Sequence, residues 1–228
     1  AWIQGGVGPD DWLRQLDLRA RLGDAVRLAF GVHPWWAAAA SDDELDRALD
    51  QLAGELGRAD ALGELGLDRH PRWRKRDGAL ARQTRALTAQ LELARRVPRP
   101  LVLHVVRAHD PVLAELERHA PFPRGGLVHA FTGRLHHARR YIELGFHLSL
   151  GGALAARPER ARELAEIPAD RVVIETDAPD QAPRAWQVEY NEPAYLLRIA
   201  AVLAPVWGLS AADLLDRSHA AVEALFSS

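Results

Sequence analysis

The residues with the clearest chemical potential in this sequence are polar side chains at the ends of short apolar runs. Imidazoles occupy such positions at His33, His104 and His129, and carboxylates do so at Glu64 and Asp177. These groups are ligands for Zn, Mn and similar divalent ions, and the chain has no cysteine to supply a thiolate ligand or nucleophile. The residue types therefore indicate metal-assisted chemistry.

The apolar runs predict seven β-strands. Each run is followed by a segment able to hold a helix, which is typical of βα units around a parallel sheet. The predicted strands cover residues 2–4, 26–32, 62–65, 101–106, 127–131, 146–150 and 172–175. Seven βα units are one short of a closed (β/α)8 barrel, in which functional residues lie at the carboxyl ends of the strands.

Two capping boxes mark predicted helix starts, at Ser41 with Glu44 and at Ser210 with Asp213. A further apolar stripe begins at Leu80 and is ended by Pro98 and Pro100. Because the sequence contains no fixed-period repeat, low-complexity tract or flexible linker, we predict a single domain over residues 1–228.

Parallel strands in a barrel bring their carboxyl ends to one rim, so we expect Glu64, His104, His129 and Asp177 to converge. Buried carboxylates and imidazoles without partners would cost several kcal/mol each, and a divalent cation removes that cost. The four residues are therefore the predicted metal ligands. Ligand type alone leaves Zn, Mg and Mn open.

Five segments, in this order and spacing, resemble the signature segments of the TatD family of metal-dependent hydrolases. They read GVHP at 31–34, LGELGLD at 62–68, PLVLH at 100–104, HAFTG at 129–133 and ETDAP at 175–179, and NEP at 191–193 matches as well. The resemblance covers essentially the whole chain. It implies an α/β fold, a TIM-type (β/α)8 barrel, and a hydrolase with two divalent metal ions.

The resemblance also implies roles for single residues. Glu64 is similar to the carboxylate that bridges the two metals, His104 and His129 to ligands of one ion, and Asp177 to a ligand of the other. Asp177 is also the expected base toward a water molecule activated by the metals. His33 is expected to line the pocket, and a histidine fixed by Pro34 and packing is the alternative.

This sequence departs from the family pattern in its first strand, which should carry Asp-x-His-x-His and does not. Trp2 aligns with the second strand of the family, so the first βα unit is absent from this sequence. Either the gene encodes that unit and the sequence lacks it, which we favour because an open barrel leaves unpaired strand edges, or the natural protein lacks it. In the second case the site is catalytically impaired.

The predicted substrate is DNA, cleaved at phosphodiester bonds. After Glu64 the chain places cations around an aromatic residue, and Arg72 and Trp73 are predicted to grip phosphate and to stack on a base. Arg107 and Asn191 are weaker predicted contacts. A solvated basic loop is the alternative, and Tyr190 stands where family members often carry a basic residue.

Two other functions remain open, an amide or ester hydrolase of amidohydrolase type and a non-catalytic relative that binds metal or nucleic acid. The net charge of −2 excludes neither, because it gives no overall attraction to nucleic acid or membrane. The sequence contains no run of about 18 apolar residues, so we expect no membrane partner and a cytoplasmic location. It does not indicate an oligomeric state.

Overall fold

The computed structural model describes residues 2–182, 186 and 188–227. By its internal contacts the chain forms two compact units, residues 1–127 and residues 128–228. The prediction of a single domain stays a prediction.

The first unit is built from parallel βα repeats. Its strands are β1 (Trp2–Gly5), β2 (Val26–Phe30), β3 (Ala61–Asp68) and β4 (Leu101–Val106). They pair in chain order, with Trp2 opposite Val26, Ala29 opposite Ala61 and Leu62 opposite Leu101. Its helices are α1 (Pro9–Leu22), α2 (Pro34–Ala39), α3 (Asp42–Glu55), α4 (Pro71–Arg74), α5 (Ala79–Arg96) and α6 (His109–His119).

The core of this unit lies between the helices and the strands. The apolar face of α3 buries Leu45 and Leu52, and that of α5 buries Leu87 and Leu91. This spacing of apolar residues is the one the sequence shows, because positions three, four and seven apart share one side of a helix. Strands β2, β3 and β4 are mostly buried on both faces, as expected for a parallel sheet covered by helices.

Strand β5 (Gly126–His129) contains the boundary between the two units. The second unit continues with β6 (Phe146–Leu150) and β7 (Val172–Ile174), which pair in parallel with Leu148 opposite Val172. Phe131, just after β5, donates its backbone N–H to the carbonyl oxygen of Ser149 in β6 at 2.8 Å. The helices are α7 (Leu135–Glu143), α8 (Gly152–Ala155), α9 (Pro158–Arg162), α10 (Leu196–Leu203) and α11 (Ala211–Phe226).

The predicted elements are present among the described residues. All seven predicted strands form, with ends that differ by no more than a few residues from the prediction. Both predicted capping boxes form as well, Ser41 with Glu44 at the start of α3 and Ser210 with Asp213 at the start of α11. The stripe that begins at Leu80 lies on α5, which ends at Arg96 before Pro98.

Among the described residues, none of the helices taken alone has the length and apolar composition needed to cross a membrane. The segments 193–207 and 211–226 meet that criterion only as a pair, with a bend of 98° between them.

Candidate functional site

A β-bulge positions Glu64. The register of β3 against β4 pairs Gly63 with Val102 and Leu65 with Leu103, so the register skips Glu64. After the bulge, Gly66 pairs with His104, and the two residues therefore share one face of the sheet. Without the bulge, Leu65 would stand opposite His104. The extra residue thus shifts the whole later part of β3, including Asp68, onto the face that His104 occupies.

Gly66 is required for this arrangement. Its φ of 151° is rare for any residue with a side chain, and a Cβ there would lie 1.9 Å from the carbonyl oxygen of His104. A glycine at this position lets β3 approach β4 closely and leaves the space beside the imidazole open.

His104 lies between two carboxylates. Its Nδ1 is 3.5 Å from Oε1 of Glu64, and its Nε2 is 3.7 Å from Oδ2 of Asp68. Burial of the ring disfavours its charged form, but the two carboxylates outweigh that effect and raise the pKa of His104. Burial alone would raise the pKa of Asp68, but the neighbouring imidazole of His104 and hydrogen bonds from Trp35 and the backbone of His70 hold it well below its usual range.

Asp68 is fixed by several neighbours. It accepts hydrogen bonds from Nε1 of Trp35 and, at 2.7 Å, from the backbone N–H of His70. The buried Gln83 of α5 accepts from the backbone N–H of Asp68 at 2.8 Å and donates to its carbonyl oxygen at 3.2 Å. The side-chain amide thus satisfies both backbone groups at the end of β3. Asp68 is 2% exposed, so its carboxylate cannot turn away from His104 into solvent.

His33 has a defined tautomer in this arrangement. Its Nδ1 accepts the backbone N–H of Trp35 at 3.0 Å, which caps α2. The neutral ring therefore carries its proton on Nε2, which lies 3.1 Å from Nδ1 of His104. In this state His33 is a hydrogen-bond donor beside Glu64 and His104. That placement agrees with the predicted pocket-lining role, which itself stays a prediction.

The first unit offers a donor set that fits a divalent cation. One nitrogen or oxygen atom each from His33, Glu64 and His104 lies within 4.8 Å of the others. Glu64 and His104 supply the predicted ligand atoms, and the protonated Nε2 of His33 is a hydrogen-bond donor beside them. An imidazole nitrogen and a carboxylate oxygen that face each other at 3.5 Å compete for one proton, and a cation can replace that proton. The residues present therefore suit a metal ion.

In the second unit, His129 also lies between two carboxylates. Its Nδ1 is 2.8 Å from Oε2 of Glu175, and its Nε2 is 3.3 Å from Oδ1 of Asp177. A hydrogen bond from Nδ1–H to a carboxylate leaves the lone pair of Nε2 on the side of Asp177. This is how a carboxylate orients a metal-binding histidine and makes it more basic.

Glu175 is itself held in place. Its Oε1 accepts the backbone N–H of Ala130 at 2.7 Å, and its Oε2 accepts the hydroxyl of Ser149. Asp177 is less buried, with 31% of its side chain exposed, and its φ of 60° lies in the left-handed region that aspartate tolerates better than most residues. Asp177 borders a small pocket whose lining includes Phe131, Thr132 and Gly151.

The other predicted residues lie in three places. Arg72 and Trp73 belong to α4, where the guanidinium carbon of Arg72 lies 4.4 Å from the ring centre of Trp35 and 4.7 Å from that of Trp73. Arg107 is exposed directly after β4, with φ at 53°. Asn191 is buried and donates through Nδ2 to the carbonyl oxygens of Thr176 and Asp180. Asn191 thus holds the backbone on both sides of Asp177.

The structure brings Glu64 near His104 in the first unit and His129 near Asp177 in the second. The convergence of all four residues stays a prediction. Sequence reasoning assigned no role to Asp68 or Glu175, although both lie in the segments LGELGLD and ETDAP. Each buried imidazole needs a hydrogen-bond partner. The sequence signal for these partners was an acidic residue four positions after Glu64 and another two positions before Asp177.

Comparison with solved structures defines the fold and the class. A crystal structure of YjjV, a TatD homologue from Escherichia coli K12, matches 98% of this chain and 85% of its own, with 31% identity and a TM-score of 0.85. A hydrolase of the TatD family from Entamoeba histolytica, 16% identical, matches with a TM-score of 0.79. The predicted fold class, a TIM-type barrel, is confirmed. Histidines and carboxylates at its strand ends are the arrangement of a metal-dependent hydrolase.

Sequence comparisons give the family. The model described as "TatD related DNase" matches residues 2–227. YjjV of E. coli K12, described as an uncharacterized metal-dependent hydrolase, is 36% identical over 177 residues, which are 77% of this chain and 66% of that protein. TatD of Erwinia billingiae, described as a 3'-5' ssDNA/RNA exonuclease, is 36% identical over 185 residues, 78% of this chain and 69% of that protein. The chain belongs to the TatD related DNase family, and its predicted class, a metal-dependent hydrolase, is confirmed.

Proposed function

We propose that this protein cleaves phosphodiester bonds of DNA with two divalent cations, Zn, Mg or Mn, as cofactors. The observation that supports this most strongly is that each of two strand-end histidines, His104 and His129, lies between two carboxylates, one of which is a predicted ligand. The relative named as a single-stranded DNA and RNA exonuclease supports the same substrate class. We also propose a cytoplasmic location.

The proposed ligands are Glu64 and His104 in the first unit and His129 and Asp177 in the second. When bound, the cations lower the pKa of a water molecule and neutralise charge on the phosphate. Asp68 and Glu175 hold the two imidazole rings in orientation. His33 donates a hydrogen bond from Nε2 into the space beside Glu64.

Asp177 is the proposed general base. Its carboxylate is more exposed than that of Glu175, and only Oδ1 faces His129, at 3.3 Å. Oδ2 accepts a hydrogen bond from the side chain of Gln181, which is exposed and free to exchange with solvent. A proton from the attacking water can therefore be taken up at Oδ2 while Oδ1 stays on the side of His129.

The test is degradation of single-stranded DNA by the protein with its complete amino terminus, with Mg, Mn or Zn added. We expect metal-dependent degradation that Asp177→Asn lowers by about 10³-fold, because the substitution removes both a ligand and a base. Asp170→Asn, an exposed aspartate of the same unit, is the matched control and should leave the rate unchanged.

Other outcomes separate the alternatives. Cleavage of small esters or amides, with DNA and RNA left intact, would assign the protein to the amidohydrolase type. Bound metal without turnover of any of these substrates would mean a non-catalytic relative. Degradation that Asp177→Asn leaves unchanged would refute the role proposed for Asp177.

A further inference from the structure

An aromatic and cationic cluster lies beside the metal-binding residues of the first unit. The planar guanidinium of Arg72 contacts the ring faces of Trp35 and Trp73, at 4.4 and 4.7 Å from their centres. Trp35 in turn lies 4.7 Å from the ring of His33 and 5.7 Å from that of His104, centre to centre. The cluster therefore lies directly beside the proposed ligand His104.

The cluster is accessible and only loosely neutralised. Trp35 is 38% exposed, and 49% of the Arg72 side chain is exposed. The nearest carboxylate oxygen of Asp68 is 4.0 Å from the guanidinium, too far for a hydrogen bond, and is already occupied by Nε1 of Trp35. Among the described residues, the neighbouring Arg74 and Lys75 have no ion-pair partner. The surface around the two indoles thus carries positive charge.

Trp73 holds an unused hydrogen-bond donor. Its Nε1 is buried and has no hydrogen-bond partner among the residues that the structure describes. A buried N–H without an acceptor destabilises the arrangement that contains it. A ligand with acceptor atoms that moves the guanidinium off the ring would supply what this donor lacks.

We propose that Trp35, Arg72 and Trp73 form a subsite for one nucleotide of a single-stranded nucleic acid, next to the bond to be cleaved. The inference rests on the proposed function, since it names the substrate contact of the same site. The nucleobase stacks on an indole face, as the flat guanidinium does in the free protein, and Arg72 moves to the phosphate, which its fork of donors binds in bidentate fashion. Trp35 links this contact to Asp68 and so to His104.

The test measures binding without metal, so that hydrolysis plays no part. A labelled short oligothymidylate and an abasic strand of equal length are titrated with protein in chelator, and binding is followed by fluorescence anisotropy. We expect the wild type to bind the base-bearing strand more tightly. Trp73→Leu should lower the affinity for that strand about tenfold and leave the affinity for the abasic strand unchanged, because stacking needs a base. Arg72→Gln should lower the affinity for both strands, because both carry phosphate.

Matched controls are Trp2→Leu, an exposed tryptophan on β1, and Arg14→Gln, an exposed arginine of α1. Both should bind like the wild type. Trp73→Phe keeps an aromatic face and should restore most of the preference for bases, even if Trp73→Leu folds poorly. An oligouridylate tests ribose strands, and base-dependent binding of either strand supports the subsite.

Equal binding of base-bearing and abasic strands by the wild type would overturn the proposal, as would equal losses on both strands in Trp73→Leu. These results are distinct from failure of the proposed function. Base-dependent binding without any degradation after metal is added would contradict the proposed nuclease activity and support the subsite. Degradation without base-dependent binding would support the nuclease activity and contradict the subsite.

Discussion

The two proposed metal-binding histidines lie in similar surroundings but use opposite ring nitrogens. In the first unit, Nδ1 of His104 faces the predicted ligand Glu64 and Nε2 faces Asp68. In the second unit, Nε2 of His129 faces the predicted ligand Asp177 and Nδ1 contacts Glu175. Each ring therefore has one nitrogen for a cation and one for an orienting carboxylate. The chain builds this arrangement twice from different local structure.

The two arrangements differ in how firmly the ring is held. Nδ1 of His129 is within hydrogen-bond distance of Glu175 at 2.8 Å, whereas Nε2 of His104 is 3.7 Å from Asp68. Asp68 is more deeply buried and is bound to Trp35 and to the backbone of His70. The difference indicates that Glu175 acts mainly to orient His129. Asp68 contacts both His104 and Trp35, and so connects His104 to the aromatic cluster.

Among the substitutions that test this difference, Glu175→Gln is expected to lower metal affinity the most. The substitution removes the carboxylate that holds His129, and loss of such a partner costs about 10- to 100-fold in metal affinity. Titration with Zn²⁺ against a chromophoric chelator measures the change, and the exposed Glu166→Gln is the control. An affinity within about threefold of the wild type would show that Glu175 does not orient the ring.

A smaller effect is expected from Asp68→Asn, measured in the same titration. Because Nε2 of His104 lies beyond hydrogen-bond distance of Asp68, the loss of metal affinity should stay below about tenfold. The exposed Asp77→Asn, in the same connection between β3 and α5, is the control. A loss larger than that of Glu175→Gln would reverse the ranking of the two carboxylates.

The smallest effect is expected from the capping boxes, one in each unit. Ser41→Ala and Ser210→Ala should each lower the free energy of unfolding by about 1 kcal/mol at neutral pH. Hydrogen bonds from Ser41 and Ser210 lower the pKa of Glu44 and of Asp213. A carboxyl group with a lowered folded-state pKa stabilises the protein above its unfolded-state pKa, and that contribution is lost as the pH falls through the folded-state value.

Urea unfolding at neutral and at acidic pH measures both capping substitutions. We expect the difference in unfolding free energy between each variant and the wild type to shrink at acidic pH. Similar values for the two variants would show that the two units do not differ in helix capping. A difference that grows with acidity would contradict the expected direction of the pH dependence.

The strands, the capped helices and the family could be predicted from the sequence, because strand ends and helix caps are local patterns. It did not assign the orienting carboxylates. Asp68 reaches His104 only because a bulge at Glu64 shifts the register by one residue. Gly63 and Gly66 are compatible with a bulge, but they do not by themselves show which face of the sheet Asp68 occupies. Glu175 contacts His129 across β6, and this depends on the pairing of strands far apart in the chain.

We propose that cations bind at Nδ1 of His104 in the first unit and at Nε2 of His129 in the second. The most direct measurement is a long-range ¹H–¹⁵N spectrum of histidine-labelled protein during titration with Zn²⁺, with signals assigned from His104→Gln and His129→Gln. This assignment predicts metal-induced shifts at those two nitrogens, with Nε2 of His104, Nδ1 of His129 and Nε2 of His33 remaining protonated. Rings that do not respond to Zn²⁺, or binding at the nitrogens that face Asp68 and Glu175, would contradict it.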